Sequence, residues 1–345
     1  MAVIVKAKRS AIVPRGGAFA GLEIEEIAAP VIAALLQGFP PKVDEVICAN
    51  ALGAGGTVAR IIALAAGLGP VAGLTIDRQC TGGLDAILLA RALVDSGAAR
   101  VVIAGGAESY SRAPQRLRDG VEYTQARFAP KGWDDPDMAQ AADLIGREAG
   151  VSRAAQDAYA VESHMKYRVV AGEVVSVAGI TRDPAAGRVT AALAARAAPI
   201  AGSITAANTA LAADGAAFVL VVADDLAAKI GGLRILRGAN VGGDAARPGL
   251  AAIAAIAEVG GASADLAEVM EAYAVQAMLC SEGLAHVNIG VNVGGGALAR
   301  GHAIGASGAV LAVRLFYELG AGQTGVAAIA GAGGIGAAML AQKLT

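Results

Sequence analysis

Along this chain short unbroken apolar runs alternate with stretches in which apolar residues recur every three or four positions. That alternation predicts buried strands separated by amphipathic helices. The run AVIVKAKRSAIV predicts an edge-to-core strand over 2–13, followed by a glycine-rich turn over 15–18. A helix is predicted over 23–37 with a kink at Pro30. VDEVICAN reads as a buried strand ending at Asn50, and ALGAGG leads into a helix near Ala59. AGLTIDRQC predicts a second short strand. The helix after Gly83 is expected to turn Ala86, Leu89 and Leu93 inward, and ARVVIAGGAES is the next buried strand. Strand, helix and strand in this order predict an α/β fold, with a mostly parallel sheet covered on both faces.

Over 111–200 the pattern breaks. Polar stretches such as KGWDDPD and TRDPAAGR appear here, together with the only tryptophan. Within this stretch VSRAAQDAYAVESHMK predicts an amphipathic helix with Ser152 as its N-cap. Residues 111–200 are read as an inserted loop subdomain, between a first core half over 1–110, to which 201–225 returns, and a second over 226–345. The second half echoes the first. TGGLDAILLARAL after Cys80 has a counterpart in GASGAVLAVRLF after His302, and VVIAGG and AAIAGAGG follow at similar places. A duplication of this kind brings two equivalent helix N-termini toward a common centre.

Composition changes this picture little. Hydrophobic residues make up 55% of the 345 and charged residues 17%, so a membrane protein has to be considered. The longest uncharged runs, IIALAAGLGPVAGLTI and GVAAIAGAGGIGAAMLA, are carried by Ala and Gly and broken by Pro or several glycines. They fall short of the ~20 strongly apolar residues that span a bilayer. A soluble protein without membrane association is expected. MAVIVKAKRS has its apolar stretch before its basic cluster, so no secretory signal is expected. Cys48, Cys80 and Cys280 form no CxxC pair and suggest no disulfide framework, which points to the cytoplasm. His164, His286 and His302 lack metal-ligand spacing, so no metal is expected. With a net charge of −2 and no basic block, nucleic acid is not an expected partner.

The candidate chemistry lies at two of these residues. A free cysteine is usually a small buried hydrophobe. Cys80, however, is followed at once by Thr81, Gly82, Gly83 and a helix, whose N-terminus can lower a thiol pKa. His302 stands in NVGGGALARGHAIGASG, where small residues leave an imidazole open to a partner. A Cys–His pair is a common source of a thiolate near neutral pH, suited to thioester exchange. The AGAGGIG turn after Ile329 offers backbone N–H groups to an oxyanion, or serves only as a tight bend. It has no complete βαβ unit after it, so a dinucleotide site is a poor fit.

Together these motifs resemble the thiolase family, the CoA-dependent acyltransferases that make or cleave 3-ketoacyl-CoA, over nearly the whole length. DRQCTGGLDA resembles the family's acyl-enzyme motif, VVIAGGAESYS the strand and turn after it, and REAGVSRAAQDAYAVESHMK its loop-domain helix. GSITAANTALAADGAA, with Asn208, Asp214 and Gly215, resembles the segment that returns to the core. NVGGGALARGHAIGASG resembles the Gly-His signature, with Ala303 in place of a usual proline. The resemblance implies the thiolase fold: two duplicated βαβαβαββ halves in a five-layer αβαβα core, with an inserted loop subdomain. It implies that Cys80 is the nucleophile, that His302 activates it and helps to bind a thioester oxygen, and that the backbone amides of Cys80 and Ala332 form the second oxyanion site. Asn208, Gly301 and Ala210 would lie on the substrate side, Ala210 where the family has a pantetheine-contacting serine. Two family groups do not carry over. Ala330 stands where the family has its acid/base cysteine. MEAY replaces an Asn-Glu-Ala-Phe type segment, which puts Met270 where an asparagine holds an oxyanion-site water. The implied protein is an acyltransferase that loads Cys80 from an acyl-CoA or acyl-carrier thioester and passes the acyl group to an acceptor. The alternatives are a conventional 3-ketoacyl-CoA thiolase of low activity and a non-catalytic subunit of the same fold. No bound cofactor is implied, since the CoA thioester is the substrate, and the expected assembly is a homodimer, with a tetramer as the alternative.

Overall fold

In the computed structural model, which describes residues 1–39, 42–228, 230–285 and 289–345, the chain forms two halves of identical topology; His286 lies outside the described residues. The first half runs β1 (Ala2–Arg9), α1 (Ile24–Leu36), β2 (Glu45–Ala49), α2 (Val58–Ala65), β3 (Leu74–Ile76), α3 (Gly82–Asp95) and β4 (Val101–Glu108). After α4 (Met138–Glu148) and α5 (Arg153–Lys166) the chain returns through β5 (Ala213–Ala223). The second half runs β6 (Leu233–Gly242), α7 (Ala251–Glu258), β7 (Leu266–Val269), α8 (Ala274–Ala285), β8 (Gly290–Val291), α9 (Ile304–Glu318), β9 (Thr324–Gly331) and β10 (Ile335–Lys343), with α6 (Ala191–Arg196) preceding it in the inserted stretch.

Strand order is β1-β5-β4-β2-β3 in one half and β6-β10-β9-β7-β8 in the other. A short antiparallel pairing of Val3 with Arg234 and Ile4 with Leu233 joins the halves edge to edge. Side-chain alternation on β1 shows how the layers stack. Ala2 and Ile4 belong to the core around α3 and α9, whereas Val3 and Val5 belong to the core around α1 and α2. Likewise Ala327 and Ile329 of β9 face the central helices, and Val326 and Ala328 face α7. The layers are therefore helix, sheet, helix, sheet, helix, with α3 and α9 in the middle. Strands covered on both faces and a helix buried all round, as α9 is from Gly305 to Leu315, require apolar residues everywhere. This accounts for the apolar composition without a membrane. Among the described residues no helix is long and apolar enough to cross one.

Three local expectations are corrected. Each sheet is mixed rather than mostly parallel, because the last strand of each half returns antiparallel to its neighbours. The first strand ends at Arg9 and is central, not an edge; Val13–Pro14 pairs separately with β5. Its lysines escape the sheet, Lys6 Nζ reaching the Gln37 carbonyl at 2.5 Å and Lys8 the Gly172 carbonyl. On α3 the inward positions include Leu84, Ile87 and Val94 besides Ala86. Leu89 is 36% exposed and Leu93 is half-buried.

The inserted stretch is fastened to the core by buried ion pairs. Arg9 on β1 meets Glu173 at 2.6 Å and Asp183 at 2.7 Å, and Arg314 on α9 meets Glu173 at 2.5 Å. At the centre α3 and α9 approach until their backbones touch. A Cβ on Gly83 would lie 2.7 Å from the Ala309 nitrogen, and one on Gly308 would lie 2.5 Å from the Leu84 nitrogen. Gly308→Ala must push the two helices apart. It is expected to destabilise the fold by about 1–3 kcal/mol in urea unfolding; an unchanged midpoint would show that the crossing has slack.

Candidate active site

Cys80 is aimed by the turn between β3 and α3. Asp77 accepts the Gln79 backbone N–H at 2.9 Å and the Gln79 amide at 3.0 Å. This holds Gln79 at a φ of 48°, a left-handed conformation costly for a side-chain-bearing residue. The chain then passes through one 3₁₀ turn, Gln79–Thr81, into α3, and Cys80 stands half-buried at that junction.

His302 occupies the equivalent place before α9. Its backbone is locked to the returning segment, its N–H donating to the Leu211 carbonyl at 2.7 Å and its carbonyl accepting from Ala213 N–H at 3.1 Å. The loop leading to it folds around the buried Glu271 carboxylate, which accepts from Ser163 Oγ at 2.7 Å, Asn292 Nδ2 at 2.7 Å and the Leu298 N–H at 3.1 Å. Another buried carboxylate, Glu108 at the end of β4, accepts from the Gly305 N–H at 2.9 Å and the Ala51 N–H at 3.1 Å, tying the start of α9 to the first half.

These constraints bring His302 Nε2 to 3.2 Å from Cys80 Sγ. On the other side of the ring, Nδ1 lies 2.7 Å from Ser307 Oγ, and that hydroxyl donates to the Ala303 carbonyl at 3.0 Å. A hydroxyl has one hydrogen, so Ser307 must accept from Nδ1–H. The lone pair of the neutral imidazole is then on Nε2, facing the sulfur. Burial pushes the Cys80 thiol up to about 12, although the backbone N–H groups of Ala332 and of Cys80 itself, both close to the sulfur, oppose this. Burial also pushes His302 down to about 4. Burial disfavours a charge on either group, which favours a thiol facing a neutral imidazole in the resting pair.

Cys80 and His302 open on a cavity of about 390 Å³, whose apolar wall includes Phe128, Met138 and Ile145. Ala330, Ala332 and Ala210 also line it. Ala332 lies in the tight β9–β10 turn, where Gly333 and Gly334 take φ values of 80° and 78°. Asn208 is not brought to the cavity. It is fully buried, its amide donating to Asp157 at 3.0 Å and the Ser203 carbonyl at 3.1 Å and accepting from Thr205 N–H at 2.8 Å. Gly301, with a φ of 115°, packs behind His302 against Ala213 and Ile12. Met270 is buried in the central apolar core and does not line the cavity. Among the described residues no group of three or more His, Cys, Asp or Glu side chains could hold a metal ion.

Comparison with known proteins agrees with this architecture. The family described as thiolase, N-terminal domain, matches residues 2–225, and thiolase, C-terminal domain, matches residues 238–343. The chain belongs to the thiolase family. The thiolase is 41% identical, over 99% of both chains, to a Bacillus subtilis protein provisionally named acetyl-CoA C-acetyltransferase. It is 35% identical, over 98% of both chains, to a Staphylococcus aureus protein of the same provisional name. A crystal structure of the Acat5 thiolase from Ascaris suum in complex with coenzyme A superposes with a TM-score of 0.90 at 27% identity, over 99% of this chain and all (100%) of that one. The Bacillus anthracis acetyl-CoA acetyltransferase superposes with a TM-score of 0.86 at 30% identity, over 99% and 98%. The chain is accordingly an acyltransferase of the thiolase superfamily.

Several residues that shape the thiolase's site escape a reading of its sequence. Ser307 follows His302 by five residues in a run of small side chains, and its meaning depends on where Nδ1 points. Glu108 and Glu271 lie within quoted motifs, where the only signal is an acidic residue in an apolar run.

The protonation state has a direct consequence. With the thiol near 12 and the imidazole near 4, the thiolate fraction of Cys80 is small at pH 7 and grows as pH rises. Chloroacetamide labelling of Cys80, followed by intact mass, should therefore keep accelerating through pH 9. A plateau reached below pH 7 would reveal a preformed thiolate–imidazolium pair.

Proposed function

We propose that this thiolase takes an acyl group from an acyl-CoA thioester onto Cys80 and passes it to an acceptor. The observation that carries this reading is the 3.2 Å contact between Sγ and an Nε2 whose lone pair is free to receive the thiol proton. Loading Cys80 needs only that base, a donor for the carbonyl oxygen and room for the substrate. The Cys80 and Ala332 amides near the sulfur support the second requirement, and the cavity supports the third. The relatives' provisional names and the coenzyme A in the Ascaris suum complex support acyl-CoA as the donor.

The acceptor step is where this chain departs from its family. The methyl of Ala330 cannot move a proton, and loss of a positioned acid/base costs ~10²–10⁴ in rate. Transfer to an acceptor that needs no α-proton removal follows from this. A second reading, acetyl-CoA C-acetyltransferase chemistry with carbon–carbon bond formation, is favoured by the relatives' names. For the assembly we propose a cytoplasmic homodimer. Its support is the half-exposed edge strand β3, where Leu74 is 42% exposed beside the outward Ile61 and Leu64 of α2.

Mixing the protein with acetyl-CoA and longer acyl-CoAs is expected to add the mass of one acyl group, and none in Cys80→Ser. If neither protein gains mass while Cys80 still reacts with a thiol reagent, the acyl-cysteine reading is wrong.

A further inference from the structure

The nucleophile stands on a backbone that a glutamine adopts only at a cost. Gln79, the residue before Cys80, has a φ of 48°, in the left-handed region that glycine, asparagine and aspartate visit and longer side chains avoid. Among the described residues Asp119, Ala178 and Asn292 share this feature, and none of them adjoins Cys80 or His302 in the chain. Beyond Cys80 the turn is fastened twice, Thr81 Oγ1 lying 2.8 Å from the Arg78 carbonyl and 2.7 Å from Asp85 Oδ2. Before it, one carboxylate holds the chain. Asp77 Oδ1 accepts the Gln79 backbone N–H at 2.9 Å, and no other bond to that N–H is made among the described residues. The same oxygen accepts the Gln79 side-chain amide at 3.0 Å. An aspartate bonded to the N–H two residues on closes a turn in place of a backbone carbonyl.

The charge of this carboxylate works against the nucleophile. Burial is the main reason the Cys80 thiol stands high, and the negative charges of Glu108 and Asp77 push it higher still. Electrostatics alone would favour an uncharged side chain at 77. What remains in favour of Asp77 is its acceptor oxygen, and with it the direction in which the chain enters Cys80. That direction sets Sγ at 3.2 Å from His302 Nε2 and brings the Cys80 N–H close to the sulfur. The turn also lies against Gly331, where a Cβ would meet Thr81 Cγ2 at 3.3 Å and the Cys80 nitrogen at 3.6 Å. A right-handed Gln79 would turn the peptide that carries this N–H, and the sulfur after it, off that line.

We propose that Asp77 is a positioning residue for the Cys80 nucleophile, its acceptor oxygen holding Gln79 in the left-handed turn that lines Sγ up with His302. Its effect on rate rests on the acyl-cysteine reading; the turn itself rests on the backbone alone. Asp77 bonds to neither the sulfur nor the imidazole among the described residues and acts through Gln79. Without the acceptor, Gln79 relaxes toward the right-handed region. With glycine at 79 the left-handed turn costs little, so the acceptor is no longer needed. With asparagine at 77 the acceptor stays and the charge goes.

Single-turnover loading of Cys80 from acetyl-CoA, followed by intact mass, reads the effect on rate. Asp77→Ala is expected to load about tenfold more slowly than wild type, the scale of the left-handed cost of one side-chain-bearing residue. In a Gln79→Gly background, adding Asp77→Ala should change the rate by no more than about threefold. Asp77→Asn, which keeps the acceptor, should load within about threefold of wild type. Equal slowing by Asp77→Ala in both backgrounds would mean that Asp77 acts by another route than the Gln79 backbone. Asp77→Asn as slow as Asp77→Ala would mean that the charge matters and the acceptor does not. Wild-type loading by Asp77→Ala would mean that it has no role; each of these results overturns the proposal. The turn is read without acyl chemistry in a crystal structure of Asp77→Ala, where Gln79 is expected at a negative φ and a positive φ overturns the proposal as well. Wild type that loads from no acyl-CoA overturns the acyl-cysteine reading, and that crystal structure then decides the role of Asp77 by itself.

Discussion

Two helix backbones touch at Gly83 and Gly308, and the distance at which they touch sets where Cys80 and His302 stand. Each residue precedes one of the two central helices, and the two helices are equivalents in a duplicated topology. A sulfur and an imidazole brought from opposite halves meet at hydrogen-bond distance only if those helices pack at backbone contact. Side chains larger than hydrogen at the crossing would open it. The sheets outside, the helices outside them and the buried ion pairs that fasten the insert hold the same crossing closed.

Burial gives the site its chemical character. The ordinary values of a thiol (9.0) and an imidazole (6.5) already favour the neutral pair, and desolvation widens that preference here. In the proposed loading step, charge appears at the sulfur only while it bonds to carbon, and the proton goes to a nitrogen whose tautomer Ser307 has already fixed. Such a site suits thioester exchange. Ala330, where the resemblance implies a proton carrier, lines the same cavity with a methyl.

Much of this was legible in the sequence because glycine-rich frames are hard to explain otherwise. Cys80 before Thr-Gly-Gly and His302 among glycines and alanines each implied a close approach, and the repeated helix and strand after them implied a common centre. What was not legible has physical causes. The phase of α3 was misread because a helix packed between two sheets buries nearly every side, so periodicity says little about which leucines point in. Strand β1 looked like an edge because Lys6 and Lys8 interrupt it, yet both side chains run out to loop carbonyls and leave the backbone free to pair on both sides. Asn208 was expected on the substrate side, and its amide is bonded to Asp157, the Ser203 carbonyl and the Thr205 N–H. A serine becomes informative only when its hydroxyl is seen to have a partner.

The most direct test of this account is ¹⁵N NMR of the imidazole of His302 in the resting protein, with Ser307→Ala for comparison. At pH 7 the account predicts a neutral ring with the proton on Nδ1 and an unprotonated Nε2, and loss of that fixed tautomer when Ser307 is removed. An imidazolium at pH 7, or a neutral ring protonated on Nε2, would contradict it.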